Sequence, residues 1–416
     1  MQVTLAKGKG TITVELDEAR IMGILLPVES MTVPDALQEL ARALQHPTAS
    51  RPLRERVKKG MHIAIVTSDI TRPCPSHILL PPVLAELEAA GIRRQDILIT
   101  FALGCHRKHT QEEITALVGK HIAREYRCLD ADAADMVLVG ETSRGTPLDI
   151  FRPVAEADFR ICLGNIEYHY FAGYSGGAKA IFPGVSTARS IQVNHRMMVE
   201  KGAATGQNND NPVRKDIEEL HNFLPVDFIL NVILGPKKEI LHAVAGHYVE
   251  AHRQGCAFLD SLYKFPLDEA ADIVLVSAGG FPKDIDMYQA QKALDNSRFA
   301  VRKGGVIILV ASCPELYGSA TFERWMKQAD SPAWLLKEIA RNFELGGHKA
   351  AAIALALEQA TVLCVSDMPD EETKNMFFTP MPSVELALAE ATRICGKNSR
   401  ILVMPIGGST LPVVKQ

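Results

Sequence analysis

The feature that most restricts the fold of this chain is an alternation of short apolar, β-rich runs with helical segments. This alternation predicts an α/β protein whose sheets are largely parallel and covered by helices on both faces. The predicted strands are 62–67, 97–103, 136–139, 159–163, 226–234, 240–245, 272–276, 307–310, 361–364 and 401–403. In such sheets ligands bind beyond the carboxyl ends of the strands. We therefore expect the functional residues in the loops that follow these runs.

The alternation falls into two parts, which predicts two domains with the boundary near Phe265-Pro266. Residues 1–265 form an N-terminal α/β domain, and residues 266–416 form a smaller, Rossmann-like domain whose final segment is a candidate to return to the first. We expect the active site in the cleft between them. The second domain lacks G-x-G-x-x-G after its first strand, which argues against dinucleotide binding there. Its first helix is predicted over 284–301, with Asp284 as the N-cap.

Composition excludes several classes of partner for this chain. The formal charge is −4 over 416 residues without a Lys/Arg block, which indicates no nucleic-acid partner. No window reaches the roughly eighteen uninterrupted apolar residues of a membrane span. The N-terminus has no signal-peptide pattern, and the eight cysteines are scattered without C-x-x-C. This usage predicts reduced thiols and a cytoplasmic protein.

The segment from His169 to Lys179 combines a histidine, a glycine-rich turn and a lysine. Glycine lets backbone N–H groups approach an anion, and a lysine beside such a turn can pair with that anion or act as a nucleophile. The P-loop pattern fails here, because Ala178 separates the last glycine from the lysine and Ala180 stands where a magnesium-binding Ser or Thr belongs. A tight turn with a surface lysine is the simpler alternative.

Four other groups of polar residues could carry chemistry, and each also has a purely structural explanation. Asp69, Thr71 and Arg72 could orient a phosphate or carboxylate, or could form an N-capping turn. The remaining candidates are His106 and His109 after the strand at 97–103, Asn194-His195, and the pair Gln289 and Lys292 on one helix face. Each of them could instead be a solvated surface group.

Taken in order from Asp69 to Lys292, these motifs resemble the nickel-pincer lactate racemase family. The resemblance implies a nickel-pincer nucleotide (pyridinium-3-thioamide-5-thiocarboxylic acid mononucleotide), built by separate enzymes and attached to Lys179, with His195 binding the nickel. It implies His106 and His169 as acid/base groups. Cofactor and substrate contacts are implied for Asp69, Thr71, Arg72, Tyr288, Gln289 and Lys292. Ser175, Gly176 and Gly177 are our candidates for a phosphate cradle.

The implied reaction is the racemisation or epimerisation of a 2-hydroxy acid. Removal of hydride from C2 leaves a stable 2-keto acid, while a histidine takes the hydroxyl proton. Return of the hydride to the opposite face requires a second base. Arg72 and Lys292 would hold the carboxylate and polarise the carbonyl.

One departure from the family pattern concerns the substrate. The family members that act on lactate carry a tryptophan near the substrate, whereas residues 345–349 of this chain read Leu-Gly-Gly-His-Lys. His348 or Lys349 would favour a larger or more acidic 2-hydroxy acid. The sequence leaves the oligomeric state open between a monomer and a small homo-oligomer.

Two other functions remain open at this stage. One is a metallohydrolase with zinc held by His106, His109, His169 and His195. The other is a non-catalytic protein that binds a phosphorylated ligand at the glycine-rich turn. The first predicts a zinc ligand set without an organic adduct, and the second predicts binding without turnover.

Overall fold

The computed structural model describes residues 1–27 and 32–415, which form two compact units. We call Ser30–Ser261 the central unit, and Met1–Glu29 with Leu262–Gln416 the terminal unit. The strands are β1 (Gln2–Lys7), β2 (Gly10–Glu15), β3 (Ile21–Ile24), β4 (Ile63–Ser68), β5 (Ile97–Ala102), β6 (Arg127–Asp130), β7 (Met136–Glu141), β8 (Pro147–Phe151), β9 (Phe159–Asn165), β10 (Tyr168–His169), β11 (Gly173–Tyr174), β12 (Phe228–Leu234), β13 (Ile240–Gly246), β14 (Lys264–Leu267), β15 (Ala271–Ser277), β16 (Val301–Val310), β17 (Ala360–Val365), β18 (Thr379–Pro380), β19 (Ile401–Met404) and β20 (Leu411–Val414).

The helices alternate with these strands along most of the chain. They are α1 (Ala36–Gln45), α2 (Leu53–Arg56), α3 (Ser76–Ala89), α4 (Gln111–Val118), α5 (Lys120–Glu125), α6 (Arg152–Ala155), α7 (Ala188–Arg196), α8 (Pro212–Glu218), α9 (Glu250–Tyr263), α10 (Met287–Ser297), α11 (Ala320–Gln328), α12 (Pro332–Arg341), α13 (Gly347–Gln359), α14 (Asp370–Asn375) and α15 (Val384–Cys395). In the part of the chain that is described, each helix is too short or too polar to cross a bilayer.

The central unit is built on a six-stranded sheet in the order β13-β12-β9-β4-β5-β6. All neighbouring strands are parallel except β13, which pairs antiparallel with β12 at one edge. The interior strands are buried along their length, as expected for a parallel sheet covered on both faces. The predicted fold class is therefore confirmed.

The predicted strand at 136–139 is a strand, but it does not continue this sheet. It belongs to β7, which pairs antiparallel with β8 in a separate hairpin. The residues of β7 are half-buried or exposed, so they lack the continuous apolar surface that an interior parallel strand requires.

The terminal unit contains a second six-stranded sheet in the order β18-β17-β16-β15-β19-β3, and all of its pairs are parallel. Strand β3 pairs with β19, so Met1–Glu29 belongs to this unit. The predicted boundary placed these residues in the first domain, because adjacency in sequence could not reveal a pairing across more than 370 residues. The final strand β20 pairs with β14 inside the same unit, so the last segment does not return to the first domain.

The first helix of the terminal unit is shorter than the predicted 284–301. Its N-cap is Asp286, whose side chain accepts a hydrogen bond from the N–H of Gln289 at 2.8 Å. Asp284, the predicted cap, instead accepts from the N–H groups of Gly8 and Ser312 at 2.7 and 3.0 Å. The helix ends at Ser297 because strand β16 begins at Val301.

Candidate active site

Three neighbouring strands of the central sheet end where the predicted site residues begin. Asp69 and Arg72 follow β4, His106 follows β5, and His169 follows β9. Because β9, β4 and β5 are adjacent and parallel, their carboxyl ends lie at one edge of the sheet. This topology brings together residues that are far apart in sequence.

Asp69 and His106 form a direct pair at this edge. Nδ1 of His106 lies 2.5 Å from Oδ2 of the buried Asp69 carboxylate, and the Thr71 hydroxyl donates to the other oxygen at 2.8 Å. Burial by itself raises the pKa of Asp69. The hydrogen bonds from His106 and Thr71, with the charges of His106 and Arg72, outweigh that effect and leave the pKa below its usual value. An ionised Asp69 therefore orients the His106 ring.

His109, by contrast, has a structural role. Its Nδ1 lies 2.6 Å from Oδ1 of Asp130, and its Nε2 accepts a hydrogen bond from the N–H of Ile70 at 3.1 Å. Both ring nitrogens are therefore used within the protein, and the side chain is 1% exposed. His109 holds the Asp69 loop against β6 and is not available as a zinc ligand.

His169 lies on a short hairpin, in which it pairs with Gly173 across β10 and β11. Its Nδ1 accepts from the N–H of Ala172 at 3.3 Å, and its ring contacts Phe171 with a centroid distance of 4.5 Å. Its pKa is lowered well below its ordinary value, first by burial and then by nearby positive charges. Those charges belong to Lys179, His195, Arg72 and Arg214.

Lys179 lies on a turn of 3-10 helix, Gly177–Ala180, directly after the glycine-rich segment. The loop that follows β5 is attached to this region, because the N–H of Gly104 donates to the carbonyl of Gly184 at 2.8 Å. Burial, together with the charges of Arg72 and Arg214, lowers the pKa of Lys179 to about 7. A large fraction of this amine is therefore neutral and nucleophilic near pH 7.

The predicted phosphate cradle at Ser175, Gly176 and Gly177 has its own internal partners. The N–H of Ser175 donates to the carbonyl of Glu167 at 2.9 Å, and the N–H of Gly177 donates to Oδ1 of Asn231 at 2.8 Å. The structure thus gives these groups a role in packing the turn. Gly176 has a φ of +76°, and a Cβ there would lie 2.8 Å from Asn231.

Arg214 lies beneath this turn and was missed by the sequence analysis. Its fully buried guanidinium donates to the carbonyl oxygens of Ala172, Tyr174 and Gly176. Its guanidinium reaches the Glu218 carboxylate only at 4.0 Å, which is not a close ion pair. The positive charge of Arg214 also acts on His169 and Lys179 and lowers the pKa of both. The only local signal was Asn211-Pro212, an N-cap followed by a first-turn proline, which locates α8 but not the direction of the arginine.

His195 lies in the last turn of α7. Its Nδ1 is 2.8 Å from Oδ1 of Asn194, and its ring contacts Phe171 with a centroid distance of 4.8 Å. Phe171 therefore contacts both His169 and His195. The charges of Lys179 and His195 also lower the pKa of His169. These three side chains therefore lie near one another within the central unit.

The remaining candidates lie in the terminal unit, on α10 and α13. Lys292 is exposed, whereas Tyr288 and Gln289 are partly buried. The ammonium of Lys349 is buried 4.9 Å from the Tyr288 ring centroid and donates to Oε1 of Gln291 at 3.0 Å. Burial and the charge of Lys292 lower the pKa of Lys349 to about 7.

His348 is buried in the first turn of α13. Its Nδ1 accepts from the N–H of Gly346 at 2.9 Å, and burial lowers its pKa to about 3. Trp325 packs against Gly347, where a Cβ would lie 2.5 Å from the indole ring. His348 and Trp325 are thus parts of the packing at this helix end.

The structure gives little support to a zinc site. Among residues 1–27 and 32–415, His, Cys, Asp and Glu side chains form no group of three or more that could hold a metal ion. The eight cysteines form no disulfide. Because His109 is bonded on both nitrogens, the predicted four-histidine zinc set is also incomplete.

Comparisons with known proteins agree with this fold. The lactate racemase N-terminal domain family matches residues 7–206, and the lactate racemase C-terminal domain family matches residues 267–411. The lactate racemase of Thermoanaerobacterium thermosaccharolyticum is 33% identical over 98% of both chains. That of Lactiplantibacillus plantarum is 31% identical over 97% of this chain and 98% of its own.

Solved structures show the same relationship. The lactate racemase apoprotein from T. thermosaccharolyticum superposes with a TM-score of 0.87 at 32% identity, and the match covers 100% of both chains. A Thermotoga maritima protein shares the fold at 17% identity, with a TM-score of 0.60 over 94% of this chain and 100% of its own. The molecule is an isomerase whose α/β fold is built on two six-stranded sheets. The chain belongs to the lactate racemase family.

Proposed function

We propose that this protein is a racemase or epimerase of a 2-hydroxy acid that uses a nickel-pincer nucleotide attached to Lys179. The observation that carries the proposal is the grouping of a low-pKa lysine with His169 and His195 at the sheet edge that also carries the Asp69–His106 pair. Family membership supports the racemase activity. The cofactor and the hydride mechanism are our inference from these residues.

The residues of the central unit fit such a cofactor. The neutral amine of Lys179 suits a covalent amide-type link, and Arg72 and Arg214 supply positive charge for an anionic nucleotide. The imidazole of His195 is a suitable nickel ligand. When bound, the group supplies a hydride acceptor beside the substrate carbon.

The two acid/base histidines have opposite electrostatic environments. His106 presents Nε2 to the substrate oxygen, because its Nδ1 is held by the ionised Asp69, and it donates a proton there as one enantiomer forms. A proton on His169 is held weakly, since burial and neighbouring cations disfavour its imidazolium. His169 therefore starts the turnover unprotonated and accepts the hydroxyl proton of the opposite enantiomer. After one turnover His169 holds the substrate proton and His106 has lost one, so both histidines return to their starting states by proton exchange with solvent, while the hydride that left C2 has returned to it. In the reverse direction the two histidines exchange roles.

Substrate binding is assigned to Arg72 in the central unit and to Lys292, Tyr288 and Gln289 in the terminal unit. Arg72 and Lys292 are exposed cations that can pair with a carboxylate. Lys349 lies buried under Tyr288, so we assign it to the support of that ring. The absence of the family tryptophan at 345–349 leads us to propose a larger or more acidic 2-hydroxy acid than lactate.

The first experiment is an intact-mass and peptide-mapping measurement on protein co-expressed with cofactor-building enzymes. We expect a sulfur-containing nicotinate-nucleotide adduct on Lys179, nickel bound to the loaded protein, and neither adduct nor activity in Lys179→Ala. An unmodified Lys179, in cells where another family member is modified, would overturn the cofactor proposal.

A second experiment separates hydride transfer from simple proton abstraction. Candidate 2-hydroxy acids are racemised in D₂O, and the product is analysed for deuterium at C2. Hydride that leaves C2 and returns to it does not exchange with solvent, so we expect product without deuterium at C2. Incorporation of solvent deuterium in step with racemisation would contradict the mechanism.

A further inference from the structure

A chain of buried hydrogen bonds lies behind His195, and it is not part of the reaction described above. Oδ1 of Asn194 lies 2.8 Å from Nδ1 of His195. Consecutive residues on a helix do not normally face each other, so helical spacing alone does not produce this contact. Asn194 is fully buried, and so is its other partner, Asp216 of α8.

The orientation of the Asn194 amide follows from its other contacts. Nδ2 of Asn194 lies 2.7 Å from Oδ2 of Asp216 and 3.3 Å from the carbonyl oxygen of Val213. A backbone carbonyl can only accept a hydrogen bond, so the group facing it is the amide nitrogen. Oδ1 therefore faces His195, and Nδ1 of His195 must be the donor.

Asp216 is held in turn by the hydroxyl of Thr142, which donates to Oδ1 at 2.5 Å. Thr142 is also buried, so both carboxylate oxygens have partners inside the protein. A buried carboxylate is costly, and apolar residues would satisfy packing alone. The arrangement is better explained by its effect on His195, the side chain at which this series of hydrogen bonds ends.

We propose that Asn194 and Asp216 are positioning residues that hold His195 in the tautomer with the proton on Nδ1. In a neutral imidazole with this proton, the lone pair is on Nε2, which is the form that binds a metal. The second part of the inference, that Nε2 then binds nickel, rests on the proposed function. The tautomer itself does not depend on the cofactor. Partners of this kind commonly fix ring orientation and raise ligand basicity.

The decisive measurement is ¹⁵N NMR of the full-length apoprotein labelled with ¹⁵N-histidine. The spectrum is recorded where the imidazole is neutral, and His195 is assigned by comparison with His195→Gln. We expect a protonated signal from Nδ1 and an unprotonated signal from Nε2. A proton on Nε2, or a mixture of tautomers in the wild type, would overturn the inference without any variant.

Variants then test which residues impose the tautomer. Asn194→Ala and Asp216→Ala should each give a mixture, whereas Asp216→Asn should retain the wild-type signals. In Asp216→Asn the new amide can accept from Asn194 and donate to the Thr142 hydroxyl. Thr142→Val is the matched control: it loses a buried hydrogen bond one step further from His195 and should keep the tautomer. If Asn194→Ala also keeps it, Asn194 is not a positioning residue.

Nickel release links the inference to the metal. From loaded protein, we expect a chelator to remove nickel about 10- to 100-fold faster in Asn194→Ala than in Thr142→Val. Equal rates would contradict the positioning role. A Lys179 without adduct in the wild type would instead contradict the proposed function and leave the tautomer result standing. The two failures are thus distinguishable.

Discussion

The carboxylate of Asp69 lies 2.5 Å from Nδ1 of His106, whereas the charges that act on the second acid/base candidate, His169, are those of lysine, histidine and arginine. Burial and those positive charges favour the neutral form of His169, so His169 starts the turnover as the proton acceptor. A two-base racemase needs one protonated and one unprotonated base at the start of each turnover. The surroundings of His169 provide an electrostatic reason for the unprotonated base, and Asp69 orients the other histidine.

Asp69→Asn should lower kcat/KM by about 10²- to 10⁴-fold, because His106 loses the carboxylate that orients its ring. The measurement is the initial rate in each direction by chiral chromatography. Since an enzyme cannot change the equilibrium constant, kcat/KM must fall by the same factor in both directions, while kcat and KM need not.

The matched control for this prediction is Thr71→Val, which removes the hydrogen bond to the other Asp69 oxygen and a 3.4 Å contact with Nδ1 of His106, but leaves the contact between Asp69 and His106. We expect a smaller loss in this variant. A wild-type rate in Asp69→Asn, or an equal loss in both variants, would mean that the Asp69–His106 contact does not support the base.

Lys179 should react as a low-pKa amine in the apoprotein. Its pKa is about 7, whereas that of an ordinary lysine is about 10.4, so the neutral, reactive form accumulates as the pH rises through 7. Competitive acylation followed by peptide mass spectrometry, with Nα-acetyl-lysine as the reference amine, measures this midpoint. A midpoint near that of the reference would contradict the electrostatic description.

Arg72→Gln should raise that midpoint, because the Arg72 charge is one cause of the lowered pKa. Arg51→Gln, a change at an exposed arginine of the same unit, is the control.

The lowered pKa of Lys179 also makes the free energy of unfolding depend on pH, with a definite sign. Lys179 is more acidic in the folded state, so its cost to stability is complete below about pH 7 and disappears as the pH rises toward 10.5.

The sequence predicted the interior strands of both six-stranded sheets, because buried parallel strands leave continuous apolar runs. The short, only partly buried strands β3, β6 and β18 at the sheet edges leave no such run and were not predicted. The residue pattern alone could not distinguish His106 from His109, which are three residues apart in one loop, and only the family resemblance selected His106. The difference comes from distant partners: Asp69 pairs with His106, while Asp130 holds His109. Likewise, nothing local to Arg214 indicates that it is buried under the glycine-rich turn.

The glycine-rich turn was predicted to bind phosphate because of its backbone freedom, and the structure shows a packing reason for one of its glycines. Gly173 has a φ of +78°, and a Cβ there would lie 1.9 Å from the carbonyl oxygen of Gln207. Gly145 has the same φ of +78°, but a Cβ there would have no atom within 4 Å. The two positions therefore separate backbone strain from close packing.

Gly173→Ala should destabilise the protein by more than about 3 kcal/mol, because strain and a backbone clash add. Gly145→Ala should cost only the strain, about 1–2 kcal/mol. Chemical denaturation followed by fluorescence compares the two variants, and peptide-resolved hydrogen exchange shows whether the loss includes the 168–180 segment. Equal costs would mean that the turn can move away from Gln207.

Lys292 and Lys349 offer the sharpest test of substrate binding, since their charges interact but their exposure differs. If exposed Lys292 pairs with the substrate carboxylate, Lys292→Met should lower kcat/KM for every 2-hydroxy acid, and mainly through KM.

Lys349→Met should instead weaken the support of the Tyr288 ring. We expect Lys349→Met to change the ratio of kcat/KM for 2-hydroxy monocarboxylic and dicarboxylic acids. The factor of this change should be smaller than the factor by which Lys292→Met changes KM. A selective loss of dicarboxylates in Lys349→Met would show that the buried lysine contacts a second acidic group, and our assignment of the two lysines would be reversed.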